Sequence, residues 1–340
     1  MKSLRILFLS IVTICTLLSS VAYADTLDSV LERGFVRCGA TQGHQGFSNL
    51  SADGFWSGYD VDLCRAISAA VFGDANRVEF IEYEGTSRAA PLQGDQVDLF
   101  ARNAYWTMSR DTQYNLHYVG ITYFDGQAIM VPEAKGVVSA VSLQDVTVCA
   151  VEGSIESDRI EKYFFEHQIN YTETYYEELS DLQTAYMAGL CDVVTAPASH
   201  LQSLLLSEAI DPAAHRILPE RLSVEPWGPV VRAGDDRWQN VVRWTLFALL
   251  NAEELGVNSR NVETMVESKN PKVRRLLGVD GQFGEPLGIP DSWAHDVIKG
   301  VGNFGEIFSR NLGKDSGLNI IRGNNELWTR GGLMYAPPIR

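Results

Sequence analysis

The chain is poor in the residues that bind nucleic acid or metal, and it has only one long apolar run. Its 28 basic residues are outnumbered by 43 acidic ones. Such a chain repels phosphate backbones and anionic lipid, so nucleic acid is excluded as a partner. Cysteine is sparse: five residues, with no CxxC pair and no Cys/His cluster, leave no recognisable metal site. The six histidines are scattered, and none sits in a catalytic motif. No phosphate-cradling loop and no nucleophile–base pair stands out, so no cofactor and no metal are expected. After residue 24 no segment is long and apolar enough to span a bilayer, and no low-complexity linker divides the chain.

The one apolar run lies at the start. Lys2 and Arg5 precede Ile6 to Leu18, and Ala22-Tyr23-Ala24 supplies the small residues of a cleavage site. This is the layout of an export signal, which predicts a mature start near Asp25 and a periplasmic protein. An uncleaved anchor would need a longer core followed by stop-transfer charges. Cys15 lacks the preceding small residues of a lipoprotein site, so no lipid anchor is expected. Losing residues 1–24 removes two bases and no acids, which takes the formal net charge from −15 to −17. The remainder is long enough for two domains, and the chain's hydrophobic content of 45% is that of a globular protein.

Helix and strand patterns alternate from there. Residues 26–33 and 60–72 read as helices ended by Gly34 and Gly73, the second with apolar residues at Val61, Cys64, Ile67, Ala70 and Val71. Strands are expected at 35–38, 78–83 and 97–101, with a short helix at 89–93. This alternation predicts a parallel α/β sheet. The rhythm restarts after Tyr123 to Gly126, with strands at 128–131, 146–151, 170–175 and 191–195 and helices at 156–167 and 179–188. Both halves end alike: a helix, Gly94 or Gly189, then a strand holding Asp98 or Asp192. Two similar lobes enclose a cleft, and a cleft between domains is a preferred small-molecule site. A return strand is expected over Pro226 to Val231, then a long amphipathic helix at 236–255 and a helical tail. Cys38, Cys64, Cys149 and Cys191 permit three pairings in an oxidising compartment. The two-lobe division favours Cys38–Cys64 and Cys149–Cys191.

Gly58-Tyr59-Asp60-Val61-Asp62 resembles the G-[FLY]-D-V-D motif of type II periplasmic solute-binding proteins of the polar amino-acid cluster. Val36 to Gly39, Ala70 to Ala75, Arg102-Asn103 with Trp106-Thr107, Arg110 to Thr112, Gly228 to Arg232, Gly234 to Asp236, Val242 to Leu249, Arg274 to Val279 and Tyr335 to Arg340 narrow the resemblance. Together they are similar to the binding proteins of general L-amino-acid ABC transporters, over essentially the whole mature chain. The resemblance implies a type II periplasmic binding protein-like α/β fold: two α/β lobes joined by a two-crossing hinge, with a C-terminal extension. Residues 1–24 would be the cleaved signal, 25–124 the first segment of lobe 1, and 125–228 lobe 2. Residues 229–340 would be the return segment, long helix and extension. The hinge would lie at Tyr123 to Gly126 and Glu225 to Gly228. The implied activity is capture of an amino acid or related carboxylate, as a monomer, for a permease in the inner membrane.

In the family an Arg following a Trp-Thr-x-[Thr/Ser] run fastens the solute's α-carboxylate, and here that run ends at Arg110. An Arg fork matches a carboxylate in bidentate geometry. Thr107 and Asn103 would add a hydroxyl and an amide, Thr41 and Gly43 the loop after the first strand, and Phe47 and Trp56 either an apolar wall or part of the core. In the second lobe Gly153 and Ser154 open a helix whose free N–H groups suit a carboxylate. Ile155 and Glu156 depart from the family's hydroxyl residues there. A larger departure is Pro197, where the family places an Asp for the α-ammonium group. A buried ammonium without an anionic partner loses several kcal/mol. Either Glu152 or Glu156 substitutes, or the ligand lacks an ordinary α-amino group. Two other functions use the same scaffold: catalysis like that of cyclohexadienyl dehydratase, with Glu152 or Glu156 as general acid, and ligand sensing for a membrane receptor.

Overall fold

Residues 25–83, 89–101, 105–206 and 211–340 are described in a computed structural model. The leader and Asn103 lie outside the described residues. Helix α1 (Thr26–Arg33) begins where the Asp25 carboxylate accepts the Asp28 N–H at 2.8 Å, and it ends at Gly34 with φ 84°. It delivers the chain into strand β1 (Val36–Ala40). Helix α2 (Tyr59–Phe72) follows the sequence period, stops at Gly73, and is buried along most of its length. Strands β2 (Val78–Glu82) and β3 (Leu99–Phe100) pair parallel to β1 on its two sides. The chain then forms helix α3 (Met108–Gln113) and strand β4 (Leu116–Tyr118).

A short strand, β5 (Tyr123–Asp125), carries the chain across to β6 (Gln127–Pro132), the first strand of a second sheet. That sheet adds β7 (Val146–Val151), helix α4 (Ile155–Glu166), β8 (Tyr171–Tyr176), helix α5 (Leu179–Met187), β9 (Val193–Pro197), helix α6 (Ala198–Leu205) and β10 (His215–Ile217). The return passes through β11 (Glu225–Trp227), which pairs antiparallel with β5, into β12 (Val230–Arg232) of the first sheet. The sheet orders are β2-β1-β3-β12-β4 and β8-β7-β9-β6-β10. The fold is thus two α/β lobes joined by two crossings that pair as a ribbon.

Two expectations are corrected. The sheets are mixed rather than parallel: β12 runs antiparallel to β3 and β4, and β6 runs antiparallel to β9 and β10. Each odd strand adjoins a lobe crossing and enters its sheet from the hinge end, not through a crossover helix. The single return strand divides at Gly228, because a Cβ there would lie 1.9 Å from the Gly120 carbonyl oxygen. The backbone approaches too closely for any larger residue, and pairing switches from β5 to the first sheet.

The likeness of the two halves is physical. Asp98 accepts the Arg37 N–H at 2.6 Å while its own N–H reaches the Arg37 carbonyl. Asp192 does the same to Thr147, at 2.9 Å. Each Asp tethers its strand to the neighbouring one, and each is paired with a base, Arg33 and Arg37 or Lys135. The cysteines pair within each lobe: Cys38–Cys64 joins β1 to α2, and Cys149–Cys191 joins β7 to the residues before β9.

Helix α7 (Asp236–Glu254) is capped by Asp235, which accepts the Trp238 N–H at 3.0 Å. It buries Trp238, Val241, Val242, Thr245, Leu246 and Leu249 as its period requires. Each large apolar side chain enclosed in this way contributes roughly 1.5–3 kcal/mol. Helices α8 (Trp293–Val301) and α9 (Phe304–Asn311) continue the same core. The extension then turns back over the hinge. Asn325 accepts the Phe124 N–H at 2.6 Å and donates to the Phe124 carbonyl at 3.0 Å. Arg322 holds the Asn325 carbonyl and pairs with buried Glu253 at 2.6 Å.

Candidate functional site

The elements that could face a ligand meet at the hinge ribbon. On the first lobe, Tyr105 bridges to Trp227 of β11, and the Trp106 N–H reaches the Pro226 carbonyl at 2.9 Å. Trp106 stacks on Tyr118 at 5.3 Å, which fixes the approach to α3. Thr107 caps that helix, its hydroxyl accepting the Arg110 N–H at 3.3 Å. Arg110 donates Nη1–H to the Tyr105 carbonyl at 3.2 Å and lies 5.8 Å from the Tyr105 ring centre. It makes no ion pair with Asp111 or with any other described residue.

Tyr105 reports what surrounds it. Burial raises its hydroxyl pKa most, the carboxylates of Asp125, Glu156 and Glu225 raise it further, and Arg110 lowers it. The Tyr105 hydroxyl therefore lies in the field of three acids and one guanidinium. Each acid is held differently. Glu225 pairs with Arg159 at 2.5 Å. Asp125 accepts the hydroxyl of Ser199 at 2.6 Å and its N–H at 3.3 Å. Burial still outweighs those bonds and pushes the Asp125 carboxyl up to about 6. The Glu156 carboxylate takes no hydrogen bond or ion pair among the described residues. Its backbone is fixed, because buried Gln127 donates Nε2–H to the Glu156 carbonyl at 2.6 Å and to Thr195 Oγ1 at 2.8 Å.

The remaining candidates divide. Gly153 turns with φ 64°, and Ser154 caps α4, accepting the Ser157 N–H at 3.1 Å. Glu152 is exposed beside that turn. Pro197 ends β9 opposite Gln127, directly before α6. Thr41 has an enclosed hydroxyl with no partner among the described residues, and Gly43 is an exposed loop tip. Phe47 has no exposed surface and packs among His44, Tyr59, Tyr123 and Trp227 under the hinge. Trp56 lies against Phe80, with its carbonyl taken by Arg65, and no described contact links it to Arg110.

A family model for bacterial extracellular solute-binding proteins, family 3, matches residues 36–260. The chain belongs to that family. This solute-binding protein is 44% identical to the general L-amino acid-binding periplasmic protein AapJ of Rhizobium johnstonii, over 95% of each chain. It is 40% identical to the glutamate/glutamine/aspartate/asparagine-binding protein BztA of Rhodobacter capsulatus, over 98% of each. A periplasmic binding protein from Brucella ovis with glutathione bound is 43% identical and superposes with a TM-score of 0.86, covering 94% of this chain and 100% of that one.

Several residues beside the hinge ribbon escape a reading by motif: Tyr105, Asp125, Gln127, Arg159, Ser199, Glu225 and the histidines His44 and His200. Two signals in the sequence were available. Asp125 is an acid inside an apolar crossing strand, and Glu225 is another in the returning one. Which partners they meet depends on contacts many residues apart.

Proposed function

We propose that the protein is the solute-binding component of an ABC importer, taking up an amino acid or a related small carboxylate between its lobes and delivering it to an inner-membrane permease. One observation carries the reading. A guanidinium, Arg110, and a carboxylate, Glu156, neither with an ion-pair partner among the described residues, both act on the charge of the Tyr105 phenol from opposite lobes. A dipolar solute satisfies both, its carboxylate on Arg110 and its ammonium on Glu156, which makes good the acid absent at Pro197. Thr41, Gly43, Asn103 and Thr107 would complete the first-lobe side, and Glu152, Gly153 and Ser154 the second. Under this reading the lobes are 25–124 with 229–340, and 125–228. The leader is removed after Ala24, the chain acts as a periplasmic monomer, and it does no chemistry on its solute.

The test begins with ligand-stripped mature protein screened by thermal shift against amino acids, their deaminated analogues, polyamines and organic acids. Affinities for each hit are then measured by calorimetry in Arg110→Ala and Glu156→Gln. Arg110→Ala should weaken a carboxylate ligand at least ~30-fold, about 2 kcal/mol. Glu156→Gln should weaken amino acids while sparing deaminated analogues. Unchanged affinity in Arg110→Ala refutes the assignment. Conversion of prephenate or arogenate to an aromatic product would overturn the transport reading.

A further inference from the structure

The two lobes touch through a pair of histidines that the binding reading does not use. His44 lies on the loop after β1, and His200 lies in α6 of the other lobe. Their rings stack with centroids 4.3 Å apart and planes 12° from parallel. His44 is also stacked on Phe47 at 4.5 Å and meets the edge of Trp227 at 6.0 Å, so it is gripped between the core of one lobe and the helix of the other. Beside the stack the Gln45 N–H donates to Ser203 Oγ at 3.1 Å. Each imidazole encloses one nitrogen with no hydrogen-bond partner among the described residues, Nε2 of His44 and Nδ1 of His200.

We propose that the His44–His200 stack is a proton-sensitive latch: neutral rings hold the lobes together, and a proton on either ring releases them. A protonated imidazole needs acceptors for both N–H groups, and an enclosed nitrogen without one cannot be charged at ordinary cost. Two charged rings at this separation also repel. Among the described residues the surroundings offer little relief: the Ser199 backbone hydrogen bond favours a proton on His44, and burial outweighs it. The loop from Thr41 to Ser48 has no other ionisable side chain, and α6 has none but His200. On the packed strands the ionisable groups are Tyr123 and Asp125 of β5 and Glu225 of β11, with Tyr59 and Tyr105 beside them. Asp125 is committed to Ser199 and Glu225 to Arg159. Burial lowers the pKa of both rings, that of His200 to about 4, and His200 further lowers that of His44.

The sign follows from linkage. A ring depressed in the joined state and ordinary when the lobes part favours the joined state at neutral pH and loses that preference below about 6.5. With a joined-state value of about 4, His200 alone shifts the balance roughly 30-fold towards parted lobes at pH 5. The latch needs no bound solute, so its failure is separable from that of the transport reading.

Pulsed electron-spin distance measurements on the ligand-free mature protein test it, with labels on Glu79→Cys and Glu166→Cys, one in each lobe. The ratio of parted to joined lobes should rise at least tenfold between pH 7.5 and 5 in the wild type. It should change less than twofold in His44→Phe/His200→Phe, which keeps stacked rings and cannot take a proton. No rise in the wild type, or an equal rise in the variant, overturns the proposal. Should the double variant lose its cooperative thermal transition, His44→Gln/His200→Gln, which also cannot take a proton, carries the same comparison.

Discussion

Glu253 sits on the last turn of α7 with its side chain only 6% exposed, and two arginines meet it. Arg322 reaches it with both terminal nitrogens, at 2.6 and 3.1 Å, and Arg330 with one at 3.3 Å. Arg322 is itself 13% exposed and lies over Phe304 and Phe308. In Glu253→Ala the buried Arg322 keeps the Asn325 carbonyl, the Glu326 carboxylate at 3.5 Å and two aromatic faces. Breaking one side of a buried pair costs 3–5 kcal/mol, and with this residual support we expect about 3. Glu253→Gln keeps the shape, removes the charge from the two hydrogen bonds at Oε1, at about 1 kcal/mol each, and puts an amide donor against the third. Arg322→Met buries no unpaired charge, so Glu253→Ala/Arg322→Met should cost less than the two single variants summed, by at least about 1.5 kcal/mol. Urea unfolding followed by the fluorescence of the seven tryptophans gives each value. A cost below about 1 kcal/mol for Glu253→Ala, or strict additivity in the cycle, refutes the reasoning.

Asn325→Ala strips Phe124 of both partners. It should weaken ligand affinity or alter lobe opening in calorimetry and scattering, whereas an effect on melting temperature alone would leave Asn325 a purely structural residue. Replacing Cys38–Cys64 or Cys149–Cys191 by alanines frees loops of 26 and 42 residues. Loop-closure entropy then predicts losses of about 3.5 and about 4 kcal/mol, additive because the bridges lie in different lobes. Calorimetry of the three variants checks both values. Asp125 is held near 6 in the folded chain against an ordinary 3.8. The folded state therefore keeps a proton that the unfolded chain has lost, and stability contributed by Asp125 falls as pH rises from about 4 to 6, then levels. Asp125→Asn should gain about 3 kcal/mol relative to wild type between pH 3.5 and 7. Parallel pH profiles of melting would sink that account.

The α/β rhythm was legible because glycines stop helices and apolar periods switch from 3.6 to 2 at the element boundaries. Strand direction was not: nothing in Gln127 to Pro132 says which neighbour it will oppose. Helix α3 was hidden because it buries no residue and rests on the Thr107 cap, and α6 because it starts against the end of a strand at Pro197. Arg110 could be found because its motif is local. Pairs made by the fold itself were harder, since Asp125 finds Ser199 within the second lobe and His44 finds His200 only after both lobes have formed. Phe47, which the sequence leaves open between cleft wall and core, is spent on the core.

The ribbon of β5 and β11 has two outer edges, and an open strand edge is a template on which another chain can add itself. Here neither edge is vacant. Phe124 turns both backbone groups outward into the Asn325 amide, while Pro226 has no N–H to offer and gives its carbonyl to Trp106. A protein whose lobes must part at this crossing would otherwise risk exchanging a lobe with its neighbour each time it opened. With both edges closed by its own chain, the crossing offers no free strand edge to a second copy.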